Sequence, residues 1–152
     1  MSEDAVTFPE VAELVARWWW NYDEGHFDVL RAMLTDDVHF SCRTDTGTTD
    51  YEEFVRAEVR GRDAMMEWQT DHRVHSPYPL RHNGTNVHVT ARRGVEADFT
   101  SYIHVTHITA AGVSNLSSAI VNGSVRRVDG SVLLAALEVV LDTRESVEFA
   151  QR

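Results

Sequence analysis

Near the start of the chain, Val11, Leu14, Val15, Trp18 and Tyr22 recur at helical spacing and form one apolar stripe. Pro9 stands where that helix would begin, a position at which its missing N–H costs nothing, and Gly25 would end it. A second, shorter helix is expected from His26 to Leu34, with Phe27, Leu30, Met33 and Leu34 turned inward. Thr35-Asp36-Asp37 then turns the chain into residues 38–43, whose alternation predicts a strand. The polar stretch 45–49, with Gly47, is a loop. Asp50 and Glu53 make a capping box for a third helix. Its stripe is Phe54, Val55, Glu58, Val59, Met65 and Met66, with Gly61 as a weak point.

From His72 onward the pattern turns to β. Residues 87–93, 99–109, 113–128 and 131–141 are rich in Val, Ile, Thr and Tyr and predict long strands. Asp129-Gly130 is a strong hairpin signal, and Ala110-Ala111-Gly112 is a looser turn. Helices first and a meander of strands afterwards mean α+β: three N-terminal helices packed in a curved, mostly antiparallel sheet. No repeat or linker interrupts the pattern, so residues 1–152 are expected to form a single domain.

Composition narrows the chemistry. All 14 basic residues are arginine, against 24 acidic ones, for a net charge of −10. Without lysine there can be no Schiff-base, pyridoxal-phosphate or Walker-type mechanism. The acidic balance speaks against nucleic acid as a partner. The single cysteine, Cys42, can form neither an internal disulfide nor a cysteine-rich zinc site. No stretch approaches the roughly 20 apolar residues of a membrane span. The acidic start Met1-Ser2-Glu3-Asp4 lacks the features of a signal peptide, so a cytoplasmic location is expected.

Eight histidines are present, none in an HExxH pattern. His104 and His107, three apart on a predicted strand, would face opposite ways, so no protein-bound metal is expected. There is no phosphate loop and no GxSxG elbow. Cys42, beside Phe40 on an alternating strand, is expected to be a buried structural thiol. Trp18, Trp19 and Trp20 must radiate about 100° apart on one helix. Trp18 joins the stripe, while the other two need different partners, such as another subunit. Asp23 follows Tyr22 at the helix's negative pole, where a carboxylate is disfavoured unless it faces water or is used.

Helix–helix–strand–helix–meander, with Asn21-Tyr22-Asp23-x3-Phe27-x2-Leu30 in the first helical hairpin, resembles the NTF2-like superfamily. Within it the chain is similar to SnoaL-like and scytalone-dehydratase-like proteins and to the small subunits of aromatic-ring-hydroxylating dioxygenases. The resemblance implies a cone-shaped fold enclosing an apolar pocket. It also implies that Tyr22, Asp23 and His72, the last within Thr70-Asp71-His72-Arg73-Val74, form an acid/base set in which Asp23 holds the imidazole. Departures from the dehydratase pattern are equally visible. Cys42 stands where that pattern has a second tyrosine, and Ala97 and Asp98 where it has a second histidine. Ala119 and Val121 stand at its Ser/Asn pair, with Asn122 one residue out of register.

On this resemblance the expected activity is a cofactor-independent lyase or isomerase of the dehydratase or cyclase type, acting on a small hydrophobic cyclic carbonyl compound. Polyketide or aromatic-compound metabolism would supply such a substrate. Trp18, Phe40, Phe54, Met66, Asp98, Tyr102, His104 and Asn122 are the expected substrate-contacting residues. The alternatives are a non-catalytic dioxygenase small subunit bound to its large subunit, a ligand carrier, and an epoxide-opening hydrolase using Asp23 or Asp98. A homo-oligomer, dimer or trimer, is expected, with no membrane partner.

Overall fold

A computed structural model describes residues 4–152, so the acidic lead Met1-Ser2-Glu3 lies outside the described residues. Helix α1 (Phe8–Asp23) starts where Pro9 places it, and Glu10 caps it by accepting from the Thr7 N–H at 2.9 Å. Its buried face is the stripe Val11, Leu14, Val15, Trp18 and Tyr22, joined by Trp19 and Asp23. Gly25, at φ +69°, reverses the chain into α2 (Phe27–Ala32). Strand β1 (Leu34–Thr44) follows directly.

The expected third helix is two helices and a strand: α3 (Glu52–Val55), β2 (Ala57–Arg60) and α4 (Arg62–Val74). Gly61 at φ +92° cannot continue a helix, and residues 57–60 pair antiparallel with β1 instead. The boundary at His72 also moves. Met65, Met66, Gln69 and Arg73 keep helical spacing on the buried face, so His72 lies in the last turn of α4 rather than at the start of the β region.

Strands β3 (Leu80–Arg93), β4 (Glu96–Thr109), β5 (Gly112–Val128) and β6 (Ser131–Leu141) complete one six-stranded sheet ordered β2-β1-β6-β5-β4-β3. Asp129 and Gly130 both take positive φ in the β5–β6 hairpin. All pairings are antiparallel except β1 with β6. Register shifts at Thr85/His88, Val105/Thr106 and Ser124/Val125 mark bulges that bend these long strands. Gly123 permits one tight spot, since a Cβ there would lie 2.4 Å from the Phe99 ring. The helices fill the concave side: α1 packs on β3, and α4 on β1 and β2. This is the curved-sheet α+β arrangement expected from the pattern, with four helices before the meander in place of three. Among the described residues no helix is long and apolar enough to cross a membrane.

Candidate active site

Between the helices and the sheet lies a cavity of about 360 Å³. Trp19, Phe40, Trp68, Leu80, Ile103 and Leu137 are among its walls, and half-exposed Tyr51, Phe54 and Leu116 also line it. Its polar groups gather where α1, α4 and β3 meet.

His72 is held there from one side. The Tyr22 hydroxyl and His72 Nδ1 are 2.7 Å apart, and the imidazole is stacked between Trp68 and Phe54, each with its centroid 4.5 Å away. The other ring nitrogen, Nε2, is buried and has no hydrogen-bond partner. Burial, helped by the neighbouring His82 and opposed by Asp71, lowers the His72 pKa to about 4, so the ring is neutral at physiological pH. Burial likewise raises the Tyr22 pKa, keeping the phenol protonated. The pair therefore has two neutral tautomeric forms. With Tyr22 donating to Nδ1, Nε2 carries a hydrogen to offer. With Nδ1 donating to the phenol oxygen, Nε2 is a base.

Asp23 does not hold His72, in contrast to the expected pairing. Only 5% exposed, it accepts from the His82 backbone N–H at 2.7 Å and lies 2.6 Å from His82 Nδ1. A carboxylate on that nitrogen leaves Nε2 as the free position. Trp19 stacks on the His82 ring with centroids 4.8 Å apart, and Tyr22 stands edge-on to it at 5.3 Å. The two imidazoles thus flank one tyrosine.

Buried Arg73 answers the problem of an acid at a helix C-terminus. Its guanidinium donates to the carbonyl oxygens of Tyr22 and Asp23 at 2.7–3.1 Å and to Pro77 O at 3.0 Å. It satisfies the orphaned end of α1, sets a positive charge against the negative pole and ties that end to α4.

The remaining expected residues divide cleanly. Phe40 and Phe54 line the cavity with Tyr22 and His72. Trp18 and Met66 are buried but are not among the cavity walls, because α1 and α4 turn them into the core. Asp98, Tyr102, His104 and Asn122 lie on the outer face of the sheet. Asp98 pairs with Arg93, His104 Nε2 lies 2.7 Å from Asn115 Oδ1, and Asn122 donates to Glu138. The physical reason is parity: Ala97, Phe99, Ser101, Ile103 and Val105 are the buried positions of β4, as Val121 is on β5 beside Asn122, and their neighbours must face out. Cys42 is buried against the cavity, and burial together with the Glu52 charge pushes its thiol up to about 12, too high for a nucleophile.

Sequence reasoning passed over His82. The signal was available in Leu80-x-His82, two residues that share a face once β3 is allowed to begin at Leu80.

Comparison with known proteins bears on the family and the fold. The family described as SnoaL-like domain matches residues 8–138. No curated protein matches the chain. An NTF2-like protein with a cystatin-like fold from Novosphingobium aromaticivorans superposes with a TM-score of 0.71 at 19% identity, covering 94% of this chain and 85% of its own. A candidate scytalone dehydratase from the same organism gives 0.70 at 16% identity, covering 92% and 88%. The beta subunit of a candidate aromatic-ring-hydroxylating dioxygenase, also from that organism, gives 0.71 at 12% identity, covering 93% and 92%.

Proposed function

The chain belongs to the SnoaL-like domain family, and from that premise we propose that it is a cofactor-independent lyase or isomerase of the dehydratase or cyclase type, acting on a small hydrophobic cyclic carbonyl compound. One observation carries this: His72 presents a buried, unpartnered Nε2 in a mainly apolar cavity, with its other nitrogen fixed by Tyr22. A polar atom so costly to bury without a partner is explained by a ligand that completes it.

The two imidazoles divide the work. Nε2 of His82, backed by Asp23, takes the proton α to the carbonyl. The electron pair moves onto the carbonyl oxygen, which accepts a hydrogen bond from His72 Nε2–H while Tyr22 donates to Nδ1. In the dehydratase case the enolate re-forms its carbonyl and expels the β-hydroxyl. That group takes the proton from His82 and leaves as water, so the site ends in its starting state. In an isomerase the same proton returns to a different carbon.

A panel of cyclic β-hydroxy ketones in D₂O tests this, with α-proton exchange followed by NMR and enone formation by absorbance. Wild-type protein turns over at least one of them. His72→Ala and His82→Ala each lower the rate by about 10²- to 10⁴-fold, the range for a lost acid or base, with an unchanged circular dichroism spectrum. Full activity in His72→Ala, or neither exchange nor turnover across the panel, overturns the proposal. The latter result would favour an assembly role. For that role the exposed, paired Tyr102 and Ile120 on the outer face of the sheet offer a surface to a large subunit.

A further inference from the structure

Beside His72 the cavity holds a second polar group with nothing to bind. Gln69 is 3% exposed, lines the cavity, and its side-chain amide makes no hydrogen bond to any described residue. It precedes His72 by three positions on α4, so the two side chains stand on one helix face. Apart from the free Nε2 of His82, the other polar groups of this corner are engaged. The Tyr22 hydroxyl meets His72, the Ser76 hydroxyl donates to the His72 carbonyl at 2.6 Å, and Asp23 serves His82. Arg73, one turn beyond Gln69, is spent on the carbonyls of Tyr22, Asp23 and Pro77. A primary amide carries two donors and an acceptor, and the little surface that Gln69 keeps lies in a residue lining the cavity, where a ligand can meet it. An apolar side chain would fill the same place, as Met65 and Met66 do one turn earlier on the helix.

We propose that Gln69 is the substrate-reading residue of this cavity: its amide binds a second oxygen of the ligand, on the same edge as the oxygen that meets His72. This rests on the proposed function for the identity of the first oxygen and adds to it a requirement on the ligand. The compound carries two oxygen functions on one edge of its ring system, separated by about one helical turn, on the order of 5–6 Å between the side-chain origins. A hydroxyl suits the second position, because it can accept from the amide nitrogen and donate to the amide oxygen. A carboxylate does not, since no described cation is free among the cavity walls to offset its charge.

The experiment is a binding measurement and needs no turnover. Acetophenone, 3′-hydroxyacetophenone and 4′-hydroxyacetophenone are titrated into the full chain, and Kd is read from ligand and protein NMR shifts. Wild-type protein prefers a hydroxylated probe to acetophenone. In Gln69→Met, which keeps length and volume without polar atoms, the better hydroxylated probe binds about 2- to 12-fold more weakly, the range of one net hydrogen bond. Acetophenone itself is held as before. If Gln69→Met does not fold, Gln69→Asn, which withdraws the amide by one methylene, must show the same lost preference. Equal binding of all three probes by wild-type protein overturns the proposal. A preference that survives in the variant also overturns it, because Gln69 would then serve only bound water. Preference lost in the variant while the ketone panel stays inert upholds substrate reading and leaves only the catalytic assignment to fall. Turnover with unchanged preference does the reverse.

Discussion

The two faces of β4 and β5 carry the same kinds of side chain and opposite consequences. On the outer face His104, Asn122 and Asp98 are exposed or half-exposed, and each has a neighbour within hydrogen-bond distance: Asn115, Glu138 and Arg93. On the inner side polar groups are few and buried, and His72 Nε2, the Ser101 hydroxyl and the Trp18 indole nitrogen are buried without a partner among the described residues. Water supplies what an exposed group lacks, so pairing there contributes little. Inside, an unmet hydrogen bond is a cost that the fold must offset elsewhere. Chemistry is therefore to be sought where polar groups are unsatisfied, not where they are most numerous.

The contrast can be broken most forcefully at Arg73, which the inner region uses to hold the ends of α1 and α4 together. Arg73→Met removes its hydrogen bonds to three backbone carbonyls and is expected to destabilise the protein by about 3 kcal/mol in urea melts. Arg73→Lys, which keeps the charge without the planar fork, loses less. A change below about 1 kcal/mol in Arg73→Met would mean that the α1 end does not depend on this contact.

A smaller effect is expected from His72 through pH. In the unfolded chain this imidazole protonates near its ordinary value of 6.5, whereas in the folded protein it resists until about 4. Between those values the unfolded state binds more protons, so the contribution is fully present above pH 6.5 and is lost as pH falls toward 4. The loss is on the order of 2 kcal/mol, read as the difference in slope between wild type and His72→Gln in urea melts from pH 7 to 4. Identical slopes would show that burial does not suppress the charge on His72.

The outer face should yield the smallest response. His104→Ala and Asn122→Ala are expected to shift stability by less than about 0.5 kcal/mol and to leave ligand binding and turnover unchanged. A large loss of activity in either would place function on the outside of the sheet and erase the contrast.

Legibility in the sequence followed the reach of the interactions concerned. The α1 stripe, Gly25, the Asp129-Gly130 hairpin and the bounds of β6 are set by local spacing and backbone preference, and each was readable. The α3–β2–α4 break was only hinted at by Gly61, because residues 57–60 become a strand through pairing with β1. His72 and Tyr22 were found as residue types in a pattern, yet their direct contact spans 50 positions. The pairing of Asp23 with His82 spans 59, and local periodicity carries no information about it.

The absence of lysine, the helical and strand periods and the kinship they suggest were fixed by residue order alone, since each depends on composition or near neighbours. Tertiary structure decided which histidine each of two adjacent residues would hold. It also decided which side of β4 faces the cavity and which polar atoms are left unmet there. Parity along a strand is settled only when the sheet closes over the helices, and a hydrogen bond is missed only once water has been excluded.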